Sequence, residues 1–329
     1  MTTAVVSPEQ HRLLRFLPPP KVLRKAIPIA LVLLLPVGIA GWLGGLGVAI
    51  VTMLALAIAV GQAPNTRGAT QSLFVCAIAV VAAIGAMTFG HDAADVVVVS
   101  LAALLAYPGN RASAGLLSMA PVLAVLEGLG VVKVGWVAAF FAALFAGIYV
   151  VLIVRLMRIR LTPRPVQPAL AARHAVVLAV MCGGAAWVSI VRDLPHGYWV
   201  IVTIAVVLRP SVRESTSMVR DRVIGTVIGS LIAVVVGDTL PEGAVWVVVA
   251  VFLWLDIGYT LVHRIVGASI ATTVLVIVMV APSTDGGTWS TAFDRLVWTL
   301  VGAALAVVAG LFLRGADQAP SDAVATPVG

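Results

Sequence analysis

The chain is predicted to be an all-α integral membrane protein of about twelve transmembrane helices, arranged as two parallel six-helix repeats that form a pseudo-dimer. Three observations carry this. First, 61% of the 329 residues are hydrophobic and 11% charged, with a mean hydropathy of +1.11. A soluble domain holds about 45–50% apolar and about 25% charged residues, so the excess apolar surface needs lipid. Second, apolar segments recur along the whole length, separated by short polar loops. Third, basic residues gather in alternate loops.

Taken in order, residues 1–25 form a polar, basic lead with Pro18, Pro19 and Pro20 and no cleavable signal. The first apolar segment then serves as an uncleaved anchor. Apolar spans follow near 26–43, 46–61, 71–89, 93–107, 112–129, 134–154, 174–191, 197–208, 223–238, 244–259, 265–281 and 295–313. A spanning helix takes about 20 residues, within about 17–25, so 197–208 is short. Residues 26–157 make the first repeat, 158–172 a proline-bearing linker, 173–314 the second repeat and 315–329 a tail. Ile50-Val51-Thr52-Met53 parallels Ile201-Val202-Thr203-Ile204, and six spans per half give the two halves one orientation.

The basic residues orient this arrangement. With the N-terminus inside, 18 of the 21 Lys and Arg fall on the cytoplasmic side, leaving Lys133, Arg192 and Arg295 outside. That is the positive-inside bias. Both termini and the linker are therefore expected in the cytoplasm, in the plasma membrane of a bacterial-type cell. The high isoelectric point thus reflects punctuation between spans and does not point to nucleic acid. Cys76 and Cys182 both lie in apolar stretches and are expected as small buried hydrophobes.

Small residues at every fourth position mark helix faces where backbones approach closely. Gly225, Gly229, Ala233 and Gly237 form one such stripe. Gly302, Ala306 and Gly310 form a second, and Gly135, Ala139, Ala143 and Gly147 a third. Helix packing explains all three, and a stripe without side chains also leaves room for a path.

Before the first stripe stands His196-Gly197-Tyr198-Trp199, an apolar run, then Leu208-Arg209-Pro210-Ser211. A ten-residue polar loop, 212–221, follows, and then Arg222-Val-Ile-Gly225-Thr226-Val-Ile-Gly229. Tyr198 and Trp199 suit an outer interfacial belt, and Arg209 with Pro210 an inner helix end. Arg209, Arg213 and Arg220 fit topology and headgroup contact. Arg222 opens the glycine-striped helix and can point into the bundle.

Together these residues resemble the signature of the fusaric acid resistance protein-like family. That family includes bacterial aromatic acid exporters and is related to plant aluminium-activated malate transporters. Arg295-x-x-x-Thr299-x-x-Gly302-x-x-x-Ala306 resembles the last helix of its six-span unit. The resemblance is best over 195–240 and extends through the second half. At the repeat offset Gln71 stands for Arg222 and Gln62 for Arg213. The resemblance implies transport of organic anions, aromatic or other carboxylates among them.

A charge at depth adds one more candidate. Asp256, in Leu253-Trp254-Leu255-Asp256-Ile257, sits within a span, where an ionisable residue is costly and marks function by default. Proton coupling is its functional reading, and an ion pair with Arg264 its structural one. No phosphate-binding glycine loop, metal-ligand spacing or nucleophile–base pair occurs, so neither an enzyme nor a cofactor is expected.

The expected path therefore runs over Arg222, Gly225, Thr226, Gly229, Arg209, Arg213, Tyr198 and Trp199, with Asp256 as coupling group and Gly302, Ala306 and Gly310 as packing residues. Partners are a small organic anion and the lipid bilayer, with a homodimer left open. An anion channel and a non-transporting scaffold for envelope assembly are the competing classes.

Overall fold

A computed structural model describes residues 17–128, 132–158, 165–194, 196–239, 241, 245–281 and 287–313. The start of the lead, residues 159–164 of the linker, Arg314 and the 315–329 tail lie outside the described residues. All described elements are helical. They are α1 Pro20–Gln62, α2 Gly68–Met87, α3 Asp92–Leu104, α4 Ala106–Arg111, a 3-10 turn Gly115–Met119, α5 Ala120–Gly128, α6 Trp136–Leu156, α7 Pro168–Val191, α8 Tyr198–Val207, α9 Val212–Thr239, α10 Val245–Leu261, α11 Ile265–Val280 and α12 Gly287–Leu313.

Every predicted apolar span carries a helix. Among the described residues, six helical stretches are long and apolar enough to cross a membrane: Pro20–Val60, Gly68–Met87, Asp92–Arg111, Trp136–Leu156, Pro168–Val191 and Gly287–Leu313. α1 covers the first two predicted spans and breaks between them at Gly45, whose φ of 80° and ψ of −176° are not helical. Only glycine takes that conformation without steric cost. The outward faces are apolar: Trp42, Leu43, Leu73, Val180 and Phe312 are all exposed. Exposed apolar side chains over helices whose backbone bonds are satisfied internally are what a hydrocarbon solvent selects. The chain is a multi-pass membrane protein.

Two loops of the sequence reading are helix instead. α9 begins at Val212, so residues 212–222 are helical turns and not a loop. α12 begins at Gly287, so Arg295 lies two turns inside a helix and is 1% exposed, not at an outer loop. In both cases polar residues on the leading turns hid the helix from a hydropathy reading.

Backbone contacts group the chain into two compact units. One comprises Met1–Leu35 and Arg220–Leu300. There α10 packs along α11. Trp254 Nε1 donates to the Leu23 carbonyl at 2.8 Å, and Ala26, Ala30 and Ile257 form a core beneath it. A second core joins Ala233, Val248, Val274, Ile277, Val278 and Ala292.

The other unit comprises Pro36–Val219 and Val301–Gly329. There α2 packs on α6 and α3 on α7. A Cβ on Gly147 would stand 2.6 Å from Val75 Cγ1, and one on Gly183 would clash with the Ser100 hydroxyl. Both glycines are therefore close-contact positions. Gly302 packs on α8, its absent Cβ 2.7 Å from Thr203 Cβ and 3.0 Å from the Val200 carbonyl. Ala306 is fully buried, but nothing lies within 4 Å of a Cβ on Gly310, so the second stripe packs over two of its three positions. Cys182 is buried, whereas Cys76 is exposed on α2, a correction to the expectation that both are enclosed.

Candidate functional site

The short α8 explains itself. Ten residues rise about 15 Å, half the hydrocarbon thickness. All but one of them are buried in protein. The helix ends because Pro210 lacks an N–H and holds the preceding residue extended. The freed groups find side-chain partners. His174 Nε2 donates to the Leu208 carbonyl at 3.1 Å, and Asn110 Nδ2 donates to His174 Nδ1 at 3.0 Å. That pair of bonds fixes the histidine as its neutral Nε2–H tautomer. The Arg209 N–H donates to Ser215 Oγ at 2.8 Å. Burial pulls the Arg209 guanidinium below its ordinary range, with Glu214 opposing the shift. Arg213 lies in the first turn of α9, and its side chain is outside the described residues.

Tyr198 and Trp199 are 3% and 5% exposed, with ring centroids 4.6 Å apart. They are enclosed by protein and do not form a headgroup belt. Proximity to a loop made them look interfacial, because hydropathy cannot see neighbours from other helices.

The other predicted path residues come together in the unit that holds Arg220–Leu300. Gly225 and Gly229 face α11 at close range. A Cβ on Gly225 would clash with Ser269 Cβ and stand 3.1 Å from the Ile270 nitrogen. One on Gly229 would stand 2.8 Å from the Ile270 carbonyl and 2.8 Å from Thr273 Cβ. Both glycines are thus required by backbone contact. Beside this seam Arg222 is 7% exposed and Thr226 fully buried.

Arg222 and Asp256 are electrostatic partners: each carries the charge that acts on the other. The Thr272 hydroxyl donates to Asp256 Oδ1 at 3.0 Å. Arg264, the partner the sequence offered, instead donates to the Leu17 carbonyl at 3.1 Å. Because α9 starts ten residues earlier, Arg222 is in its third turn. The helix dipole acts within the first turn, so it adds little at Arg222.

The corresponding Gln71 in the other unit is also buried. Its Nε2 donates to the Ala63 carbonyl at 3.1 Å, and Arg155 Nη2 donates to its Oε1 at 3.3 Å. A cavity of about 80 Å³ between Leu54, Ala57, Ile58, Met119, Val122 and Leu123 is wholly apolar. Its lining offers an anion nothing to bind.

Buried polar groups also lie outside the expected path. Arg295 stands at the outer end of the last predicted span, and the earlier start of α12 encloses it. Asp95, 4% exposed on α3, packs where a Cβ on Gly128 would clash with its carboxylate. A fourfold spacing of Thr291, Arg295 and Thr299 was the available signal for the first.

Comparison with known proteins agrees with the motif. Residues 181–309 match the fusaric acid resistance protein-like family. Over 84 residues the chain is 33% identical to the "Uncharacterized protein ORF2" of Neisseria gonorrhoeae. That segment is 24% of this chain and 19% of the relative, so the chain spans about a fifth of that protein. No solved structure matches.

Proposed function

We propose that this chain, whose residues 181–309 match the fusaric acid resistance protein-like family, is a membrane transport protein that exports organic anions, aromatic or other carboxylates, across the plasma membrane. The bent α1 supplies two spans and the five other long apolar stretches one each; α9 and the four short apolar helices complete twelve. Residues 26–157 and 173–314 form the two repeats, with both termini and the 158–172 linker in the cytoplasm. The protein works on a small organic anion within the bilayer, as a monomer or a homodimer.

The observation that carries this reading is Arg222. It is enclosed by protein on the glycine face of α9, within electrostatic reach of Asp256. A buried cation in a membrane bundle persists where it is paired or where it handles an anion. Here the partner carboxylate can be exchanged. A substrate carboxylate arriving at Arg222 competes with Asp256, and a proton on Asp256 frees Arg222 to bind. Arg220, two residues before Arg222 and in the same unit, draws anions toward it.

The test is efflux of labelled benzoate from proteoliposomes, with and without a pH gradient, for the parent and Asp256→Asn. A gradient response in the parent that the variant loses, with downhill flux retained, supports a coupled carrier. A parent indifferent to the gradient leaves a channel. Absence of flux across a panel of aromatic and aliphatic carboxylates turns the reading to a scaffold. A deletion strain grown on the same acids identifies the substrate.

A further inference from the structure

We infer that the unit containing Arg222 holds a second anion station at Arg295, reached along a column of buried hydroxyls on α9, α11 and α12. The register follows from packing within the unit. Along α9, Gly225 meets Ser269 and Gly229 meets Thr273 on α11, so these two helices run parallel. Gly237 meets Thr288 on α12, while Ala233 and Ala292 share one core cluster, so α9 and α12 run antiparallel. Stepping along both registers puts Thr226, Ser269 and Thr299 at one level. Ser230, Thr273 and Arg295 stand at the next. Levels four residues apart are about 6 Å apart. Arg222 lies one level below the first, so the two arginines are separated by about 12 Å along the axis.

The hydroxyls give the column its meaning. Thr226, Thr273 and Thr299 are fully buried and Ser230 is 6% exposed. None of the four hydroxyl oxygens has a hydrogen-bond partner. A Ser or Thr within a helix ordinarily donates to the carbonyl four residues back. Thr52, Thr203 and Thr291 of this chain do so. A buried polar group without a partner is costly, on the order of 1–3 kcal/mol each, so four on adjoining faces call for a partner that comes and goes. A carboxylate accepts hydrogen bonds only. Hydroxyls donating to it between two guanidinium groups would carry it from Arg222 to Arg295 without stranding it in apolar surroundings.

This rests on the anion-transport reading and deepens it: the substrate is a compact carboxylate small enough to pass one hydroxyl ring at a time. The experiment uses benzoate as probe, with binding measured by calorimetry on the purified protein and flux in proteoliposomes. The variants are Thr226→Val/Thr299→Val, Thr226→Ser/Thr299→Ser, Arg295→Lys and Arg295→Gln.

The valine pair should weaken binding and slow flux at least tenfold, as expected for hydrogen bonds to a charged group, with melting temperature held. The serine pair should restore both, because it returns the hydroxyls. Arg295→Lys should keep saturable flux that Arg295→Gln loses. If the valine pair is too unstable to purify, Ser230→Ala and Thr273→Val singly make the same comparison. A parent that moves benzoate beside hydroxyl-less variants that bind and move it equally well overturns the column and leaves the transport reading standing. A parent that neither binds nor moves benzoate or any acid of the panel overturns both.

Discussion

The close seam between α9 and α11 yields a prediction whose size can be worked out. Alanine at Gly225 would place a methyl group against Ser269 Cβ, with the Ser269 carbonyl carbon and the Ile270 nitrogen each 3.1 Å away. Two of those neighbours are backbone and cannot rotate aside. Overpacking of this kind costs about 1–3 kcal/mol. The same substitution gains helix propensity of about 0.8–1 kcal/mol, which would mask part of the cost. Gly310→Ala supplies the correction, because it makes the same propensity gain where nothing lies within 4 Å.

The difference between the two variants therefore isolates the clash. At roughly 2–4 °C per kcal/mol, Gly225→Ala should melt on the order of 2–12 °C below Gly310→Ala. Thermal unfolding of both proteins in one detergent, followed by intrinsic tryptophan fluorescence, measures this. Equal melting temperatures would mean that the stripe faces lipid and that α9 does not seat on α11. The path would then have to be sought on another helix.

Three further outcomes follow from other parts of the structure. Arg222 and Asp256 act on each other electrostatically, and removing either leaves the other charge uncompensated inside the bundle, at a cost of about 1–3 kcal/mol. Arg222→Gln and Asp256→Asn should therefore each destabilise more than the double variant does, and a double-mutant cycle in thermal melts would show additive effects if the two charges did not interact. His174→Phe leaves the Leu208 carbonyl and the Asn110 amide without partners, a loss of about 1–3 kcal/mol per group visible as a lower melting temperature; an unchanged melt would mean α8 is anchored otherwise. Reporter fusions at Gly329 and Asp193 should report opposite sides of the membrane, and the same side for both would refute the twelve-span topology.

The sequence by itself determined the solvent and the places of the helices. Hydropathy is a sum over one segment, so each apolar run announced its helix, down to the break at Gly45. The family signature was legible for a similar reason. Tyr198-Trp199, Arg209-Pro210 and the Arg222–Gly229 pattern are contiguous in the chain and need no tertiary contact to be seen. Tertiary structure alone decided which faces turn inward. Polar first turns concealed the true starts of α9 and α12, because an average over residues cannot register a helix that is polar at one end and apolar at the other. Asp256 could not be assigned to Arg222 rather than Arg264 from spacing, since the nearer cation in sequence is drawn off by the Leu17 carbonyl. Tyr198 and Trp199 look interfacial until the helices around α8 close over them. Arg295 shows the limit most clearly: an arginine beside a loop and an arginine inside a bundle have the same letters around them, and only packing, which sets burial and leaves hydroxyls unpaired, separates the two.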